Sequence, residues 1–131
     1  MSEIDEALIT KLEAASAVTA ICGTRIYPVK FPQSVTVPAI RINHIGAARV
    51  YTLSGAGGYV HDRFQIDSIA KLYKDVVALA KSVRQELEAF KGTVDGVRID
   101  GIFLENQFAD WDDAAQLFRI QQDYFIHHDE D

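Results

Sequence analysis

The sequence has 131 residues, with 13 Lys or Arg against 19 Asp or Glu, so its formal net charge is −6 at pH 7. This length favours one domain, expected over residues 1–131, and the negative charge argues against a stable grip on duplex DNA, which needs a basic face. The single cysteine, Cys22, excludes an intramolecular disulfide. No apolar run approaches the ~20 residues that span a bilayer. The acidic residues 2–6 are unlike the start of a secretory signal peptide. Composition therefore favours a single cytosolic domain.

An amphipathic helix is predicted near the start of the chain. In residues 3–15, Ile4, Leu8 and Leu12 recur at helical spacing behind an acidic first turn. A further short helical turn is expected in residues 17–22.

The strongest helical pattern lies in residues 72–91. Apolar residues repeat there at intervals of three and four: Leu72, Val76, Leu79, Val83, Leu87 and Phe90. Gly92 follows, where a left-handed residue often ends a helix. We therefore predict a helix that ends just before Gly92.

The three prolines of the chain, Pro28, Pro32 and Pro38, lie close together between the two helices. Each removes a backbone donor and restricts the residue before it. Residues 24–37 are therefore predicted to be an irregular, extended connection, which is long for a compact domain.

Four β-strands are predicted from alternating apolar and polar residues. They are Ala39–Val50, Arg63–Ala70, Val97–Asn106 and Leu117–Ile126. In the third strand the alternation slips at Gly101, which predicts a β-bulge there.

These elements predict an α+β fold with the order α-β-β-α-β-β. No helix separates the two strands of either pair, so each pair is expected to form a hairpin. The simplest architecture is a four-stranded antiparallel sheet with two main helices on one face, followed by a flexible acidic tail at residues 127–131.

The sequence carries no recognisable catalytic, metal-binding or cofactor-binding motif. The glycine-rich Ser54–Gly58 segment is followed by a strand, whereas a phosphate-binding loop leads into a helix, so we interpret it as a flexible hairpin tip. His44 is expected to be hydrogen-bonded and partly buried. Cys22 is expected to be a buried small hydrophobe. No catalytic, cofactor-binding or metal-binding residue is assigned, and enzymatic activity is not expected.

Two further polar segments are interpreted as solvated. His61 and Asp62 are expected to face solvent beside the glycine-rich tip. The acidic Asp110–Asp113 segment is expected to be a solvated turn with Trp111 tucked inward, because it lacks the central glycine and distal glutamate of a calcium loop.

Apolar side chains on irregular backbone suggest contacts between subunits. The candidate interface residues are Ile26, Tyr27, Phe31, Val35, Tyr51, Leu53, Tyr59 and His61. The alternative is that the proline-bearing residues fold back over the free face of the sheet.

The order of these features resembles the tail-completion, or tail-terminator, proteins of long-tailed bacteriophages and prophages, which join head and tail. An amphipathic helix leads into Ser16–Gly23 and then Thr24–Pro28, and a proline-rich connection closes on Pro38–Ile40 as a strand begins. Arg63–Asp67 follows the glycine-rich hairpin, and Ala78–Leu87 lies in the long helix. The resemblance covers roughly residues 5 to 126.

The resemblance implies a structural role with no catalytic residues. It implies that the chain forms a ring with copies of itself, commonly a hexamer, at the head-proximal end of the tail tube. The ring ends tube growth, and its expected partners are the tail-tube protein and the head–tail connector proteins. DNA passes through as cargo without specific binding, and no membrane partner is expected. The implied locations are the head–tail junction of the virion and, during assembly, the host cytoplasm.

A second hypothesis is a small bacterial adaptor or ligand-binding α+β domain. It would use polar groups of the sheet to hold a small molecule or peptide. The candidate residues are His44, Arg41 and Asn43 on one strand, and Arg119 and Gln121 on another. Any polar sheet face carries such groups, so solvation is the favoured interpretation of these residues.

Overall fold

A computed structural model of the chain describes residues 3–52 and 55–129. In chain order the helices and strands are α1 Glu3–Glu13, α2 Ser16–Cys22, β1 Ile26–Pro28, β2 Ala39–Thr52, β3 Gly55–Ala70, α3 Tyr73–Leu87, β4 Gly92–Val94, β5 Val97–Asp112 and β6 Leu117–Asp129. The strands form one curled, mixed sheet in the order β1-β2-β3-β6-β5-β4.

The predicted fold, a four-stranded antiparallel sheet with the order α-β-β-α-β-β, is wrong. The described residues form six strands and three helices, with β1 parallel to β2 and α2 as the additional helix. Alternation identifies strands that are long enough to show it. The two three-residue edge strands, β1 and β4, are too short to produce such a pattern.

Strand β1 also corrects the expectation that no regular element forms in residues 24–37. Ile26 pairs with Ile40, and the N–H of Ile40 donates to the carbonyl of Arg25 at 2.9 Å. Pro28 is the last residue of this edge strand, a position where a missing backbone donor does not interrupt a ladder.

The central strands form two long antiparallel hairpins joined through β3 and β6. Thr52 pairs with Gly55 at the end of the first hairpin, so residues 51–59 lie largely in two paired strands. Leu53 and Ser54 of the expected flexible tip lie outside the described residues. Strand β6 continues through residues 127–129, where a frayed tail was expected, because these residues pair with β3 and β5.

The core lies between the helices and one face of the sheet. Leu8 and Leu12 of α1, Ile40 of β2, Phe64 of β3 and other apolar side chains are almost fully buried there. Burying a Leu, Ile or Phe side chain stabilises the fold by roughly 1.5–3 kcal/mol. The apolar stripe of α1 and the alternating apolar residues of the strands therefore stabilise the fold by packing against one another. A smaller cluster under α3 comprises Ala70, Val76, Ala80 and Ile120.

The long helix ends earlier than predicted. Helix α3 ends at Leu87, and the left-handed residue that follows is Ala89, with φ of 63°, instead of Gly92. The N–H of Ala89 donates to the carbonyl of Ile102 at 2.8 Å, which turns the chain towards the sheet. A tertiary contact therefore sets this helix end.

The β-bulge predicted at Gly101 is confirmed. The pairing of β5 with β6 shifts register between Ile99 and Gly101, and it shifts again between Leu104 and Asn106. After the second bulge β5 runs on to Asp112, six residues beyond the predicted end of the strand.

Candidate assembly surfaces

The two faces of the sheet differ sharply in chemistry. Residues that point to the helices are mostly apolar and buried. The other side of the sheet is called here the open face, and it carries charged residues in cross-strand pairs. Arg41 binds Asp67 on the neighbouring strand, and Nε of Arg119 donates to Oδ1 of Asp110 at 3.0 Å.

Because of these ion pairs, the charged groups of the open face are already bound to one another, which argues against a ligand site there. Arg41 and Arg119 already hold carboxylates, and Gln121 donates to Asp123 at 3.5 Å. His44 points away from this face, towards the helices, where its ring stacks on Phe64 at 4.6 Å between centroids. The polar groups named for the adaptor hypothesis are therefore divided between two faces, and Arg41, His44, Arg119 and Gln121 are bonded within the chain.

A buried cluster of two histidines and a carboxylate lies at the base of the β2–β3 hairpin. Asp62, 2% exposed, accepts a hydrogen bond from Nε2 of His44 at 2.7 Å and another from Nε2 of His128. Nδ1 of His44 lies 3.8 Å from a carboxylate oxygen of Asp5 in α1. The cluster thereby joins α1, β2, β3 and β6.

The cluster has a clear electrostatic consequence for Asp62. Burial alone would raise the pKa of this carboxyl, but the hydrogen bonds and charges of His128 and His44 outweigh burial and hold the pKa below its ordinary value. The prediction that His44 is partly buried and hydrogen-bonded is confirmed. The prediction that Asp62 faces solvent is wrong, because its side chain points into the core, and the side chain of His61 lies outside the described residues.

Cys22 is fully buried, as predicted. Burial raises the pKa of its thiol, although Arg25 partly opposes this. Among residues 3–52 and 55–129, no group of three or more His, Cys, Asp or Glu side chains is placed to hold a metal ion. No helix in the same part of the chain is long and apolar enough to cross a membrane.

Tyr124 is an unusual core residue. Its side chain is fully buried, and its hydroxyl has no hydrogen-bond partner among the described residues. Burial raises the pKa of this phenol above its ordinary value of 10.

Replacing Tyr124 by phenylalanine removes only the buried, unpaired hydroxyl. We expect the free energy of unfolding of Tyr124→Phe to stay unchanged or to rise by up to about 1 kcal/mol, because the desolvation cost of that group is lost. Urea unfolding followed by circular dichroism measures the difference. A decrease of more than about 1 kcal/mol would mean that the hydroxyl is hydrogen-bonded in solution.

The candidate interface residues of the proline-bearing connection lie mainly against the sheet. Ile26 is 6% exposed and belongs to the core, so it is not an accessible contact residue. Tyr27, Phe31 and Val35 are half-buried. Tyr27 and Phe31 form an edge-to-face pair at 6.2 Å, and the guanidinium of Arg41 lies 5.5 Å from the Phe31 ring. These apolar side chains are therefore partly covered, whereas Val29 in the same connection is 65% exposed.

The remaining candidate interface residues lie in or beside the β2–β3 hairpin. Tyr51 is in β2, and Tyr59 and His61 are in β3, but their side chains lie outside the described residues, as does all of Leu53.

The second half of β5, with the turn after it, is an exposed surface that the sequence did not predict. Residues 105–116 are all exposed, and Phe103, Phe108 and Trp111 are 52%, 43% and 43% exposed. Trp111 contacts Phe118 at 4.7 Å between ring centroids but is not enclosed, so the prediction of an inward tryptophan in a turn is wrong. Phe108 and Trp111 are three residues apart and lie on opposite faces of β5, so this segment carries no clear alternation that would have predicted a strand.

A groove of about 290 Å³ runs between α3 and this part of β5. Tyr73, Val77, Ala109 and Ile120 supply its apolar lining, and Lys81 and Arg84 add positive charge. The groove exists because α3 packs over β3 and β6 and leaves the distal half of β5 uncovered.

The fold and these surfaces define a small α+β protein with exposed strand edges and exposed apolar side chains. The family model of tail completion protein gp17 matches residues 6–129, so the chain belongs to this family. It is a structural protein of a phage tail. No curated protein matches the sequence.

A similar fold occurs in a chain from the virion of a native gene transfer agent particle. The two chains superpose with a TM-score of 0.81 and share 20% sequence identity, over 96% of this chain and 94% of the other. At this identity the likeness establishes a common fold.

Proposed function

We propose that this protein caps the head-proximal end of the tail tube as a ring, ends tube growth and joins the tail to the head connector. Membership of the tail completion family is the observation that carries the proposal. The fold shared with a chain of a gene transfer agent virion supports it, since that chain comes from an assembled particle.

The proposed ring is built from copies of this chain, commonly six, in phages or in the prophages derived from them. Its further partners are the tail-tube protein on one side and the connector proteins on the other. A ring made by one repeated contact needs two different patches on each subunit. The exposed part of the proline-bearing connection around Val29 and the β2–β3 hairpin would form one of these patches.

DNA would pass through the proposed ring without being held. The net charge of −6 disfavours binding to phosphate, and the cross-strand ion pairs of the open face leave its arginines bound to carboxylates.

We expect purified protein to stop the elongation of tubes assembled from the matching tail-tube protein. Tubes incubated with an excess of the protein should stop growing at one end, and a gold-labelled tag should appear at that end only. Negative-stain electron microscopy measures tube length and label position over time. Continued elongation at both ends, or label distributed along the tube wall, would contradict the proposal.

A further inference from the structure

The two long edges of the central sheet are unpaired over similar lengths. On β2 the outer side pairs with β1 only at residues 40–42, which leaves residues 43–52 without a strand partner among the described residues. On β5 the outer side pairs with β4 at residues 97–99, and Ile102 accepts from Ala89, which leaves residues 103–112 unpaired in the same part of the chain.

Neither edge, residues 43–52 or residues 103–112, carries lysine or proline, two of the residues that commonly protect an exposed strand from pairing with another chain. The β5 edge displays Phe103, Phe108 and Trp111. The β2 edge has register shifts between His44 and Gly46 and between Val50 and Tyr51, and the β5 edge has one between Leu104 and Asn106. Regular strand remains in residues 46–50 and 106–112.

The directions of the two edges fit one another. Strands β2, β3, β6 and β5 are successively antiparallel, so β2 and β5 run in opposite directions on opposite sides of the sheet. When neighbouring copies stand the same way up, the β5 edge of one copy faces the β2 edge of the next copy. The two edges then meet as an antiparallel pair and continue the hydrogen-bonded ladder.

We infer that the β5 edge, residues 103–112, binds the β2 edge, residues 43–52, of a second copy of this chain. The inference rests on the proposed function only in that these contacts would close into a ring. The β5 edge is then the second of the two patches that such a ring requires on each copy, and the β2–β3 hairpin belongs to the first. The contact is heterologous, because each copy gives one edge of each kind. The groove beside β5, with Tyr73 and Val77, lies next to the bound strand and would be covered with it.

Cysteine cross-linking on the assembled protein tests the inference. In a Cys22→Ala background, variants carrying Asn43→Cys or Ile45→Cys on β2 are mixed with variants carrying Asp110→Cys or Asp112→Cys on β5, the residues that an antiparallel pairing of the two edges places opposite them. These four side chains are at least partly exposed. We expect at least one of the four mixtures to give disulfide-linked dimers in most chains, and each variant alone to give none.

The matched control is a mixture of Glu13→Cys and Lys74→Cys, two exposed helix positions away from both edges. It should give only background cross-linking. Rings that form and cap tubes without any β2–β5 cross-link, or with cross-links between two like edges, would overturn the inference and leave the proposed function standing. Cross-linked rings that fail to stop tube growth would support the inference and contradict the proposed function. Absence of any assembly, even on tube ends, would overturn both.

A lysine on the β5 edge gives an independent measurement. Phe108→Lys should abolish ring assembly while keeping the circular dichroism spectrum, because the replaced side chain is already 43% exposed. Leu72→Lys, at a residue 53% exposed outside both edges, should assemble normally. Normal assembly of a folded Phe108→Lys variant would contradict the inference.

Discussion

Replacing Asp62 by alanine is expected to lower the free energy of unfolding by about 3 kcal/mol or more. The carboxylate is 2% exposed and is the shared acceptor of His44 and His128. Without it, two imidazoles at the meeting point of three strands lose the carboxylate that they share. Denaturant unfolding at neutral pH measures the loss.

The same carboxylate should make stability depend on pH in the acid range. The pKa of Asp62 is lowered in the folded state, so its contribution is present above the ordinary value of 3.8 and is lost as the pH falls through the lower folded-state pKa. We therefore expect the wild-type protein to lose more stability than Asp62→Asn when the pH is lowered from 5 to below 4.

Two comparisons make this result interpretable. Asp113→Ala removes an exposed carboxylate and should change stability by no more than about 0.5 kcal/mol. Asp62→Asn keeps the size of the side chain and one acceptor oxygen, so it should be less damaging than Asp62→Ala. Equal stabilities of Asp62→Ala and Asp113→Ala would contradict the role assigned to the cluster.

Replacing Arg41 by alanine is expected to cost about 2–4 kcal/mol, the second large effect. Asp67 has no exposed surface, and Arg41 binds it through Nε at 3.0 Å and through Nη2. Among the described residues, the variant leaves this buried carboxylate with the amide of Gln65, at 3.2 Å, as its side-chain donor. Thermal and urea unfolding measure the change.

The open face supplies a matched control for this ion pair. Arg119 and Asp110 form the same kind of pair, but their side chains are 33% and 39% exposed, so Arg119→Ala should cost at most about 1 kcal/mol. Adding Asp67→Asn to Arg41→Ala should restore part of the loss, because it removes the uncompensated charge. A double variant as unstable as the sum of the two single variants would show that the pair is not coupled.

Much of the local structure could be predicted from side-chain periodicity. The apolar repeat from Val76 to Leu87 lies within α3, and the phase slip at Gly101 coincides with a real bulge. Where the prediction failed, a distant partner decides the structure. Ala89 ends α3 by donating to Ile102, and Ile26 enters a strand by pairing in parallel with Ile40.

For the candidate assembly surfaces too, the sequence predicted features with a local signal and missed those that depend on distant contacts. The glycine-rich hairpin and the proline-bearing connection were visible because their composition is unusual. The β5 edge was not visible, because whether a strand is central or at an edge depends on the order of strands in the sheet. The pairing of Asp62 with His128 was equally hidden, since 66 residues separate them.

By itself the sequence determined where helices and long strands form and which side of each faces the core, because apolar periodicity acts over neighbouring residues. It also carried the order of features that places the chain in the tail completion family. Only the tertiary structure decided the number of strands, the helix end at Leu87, the buried Asp62 cluster and the two unpaired edges. Each of these depends on contacts between residues far apart in the chain, and no local pattern of side chains encodes such contacts.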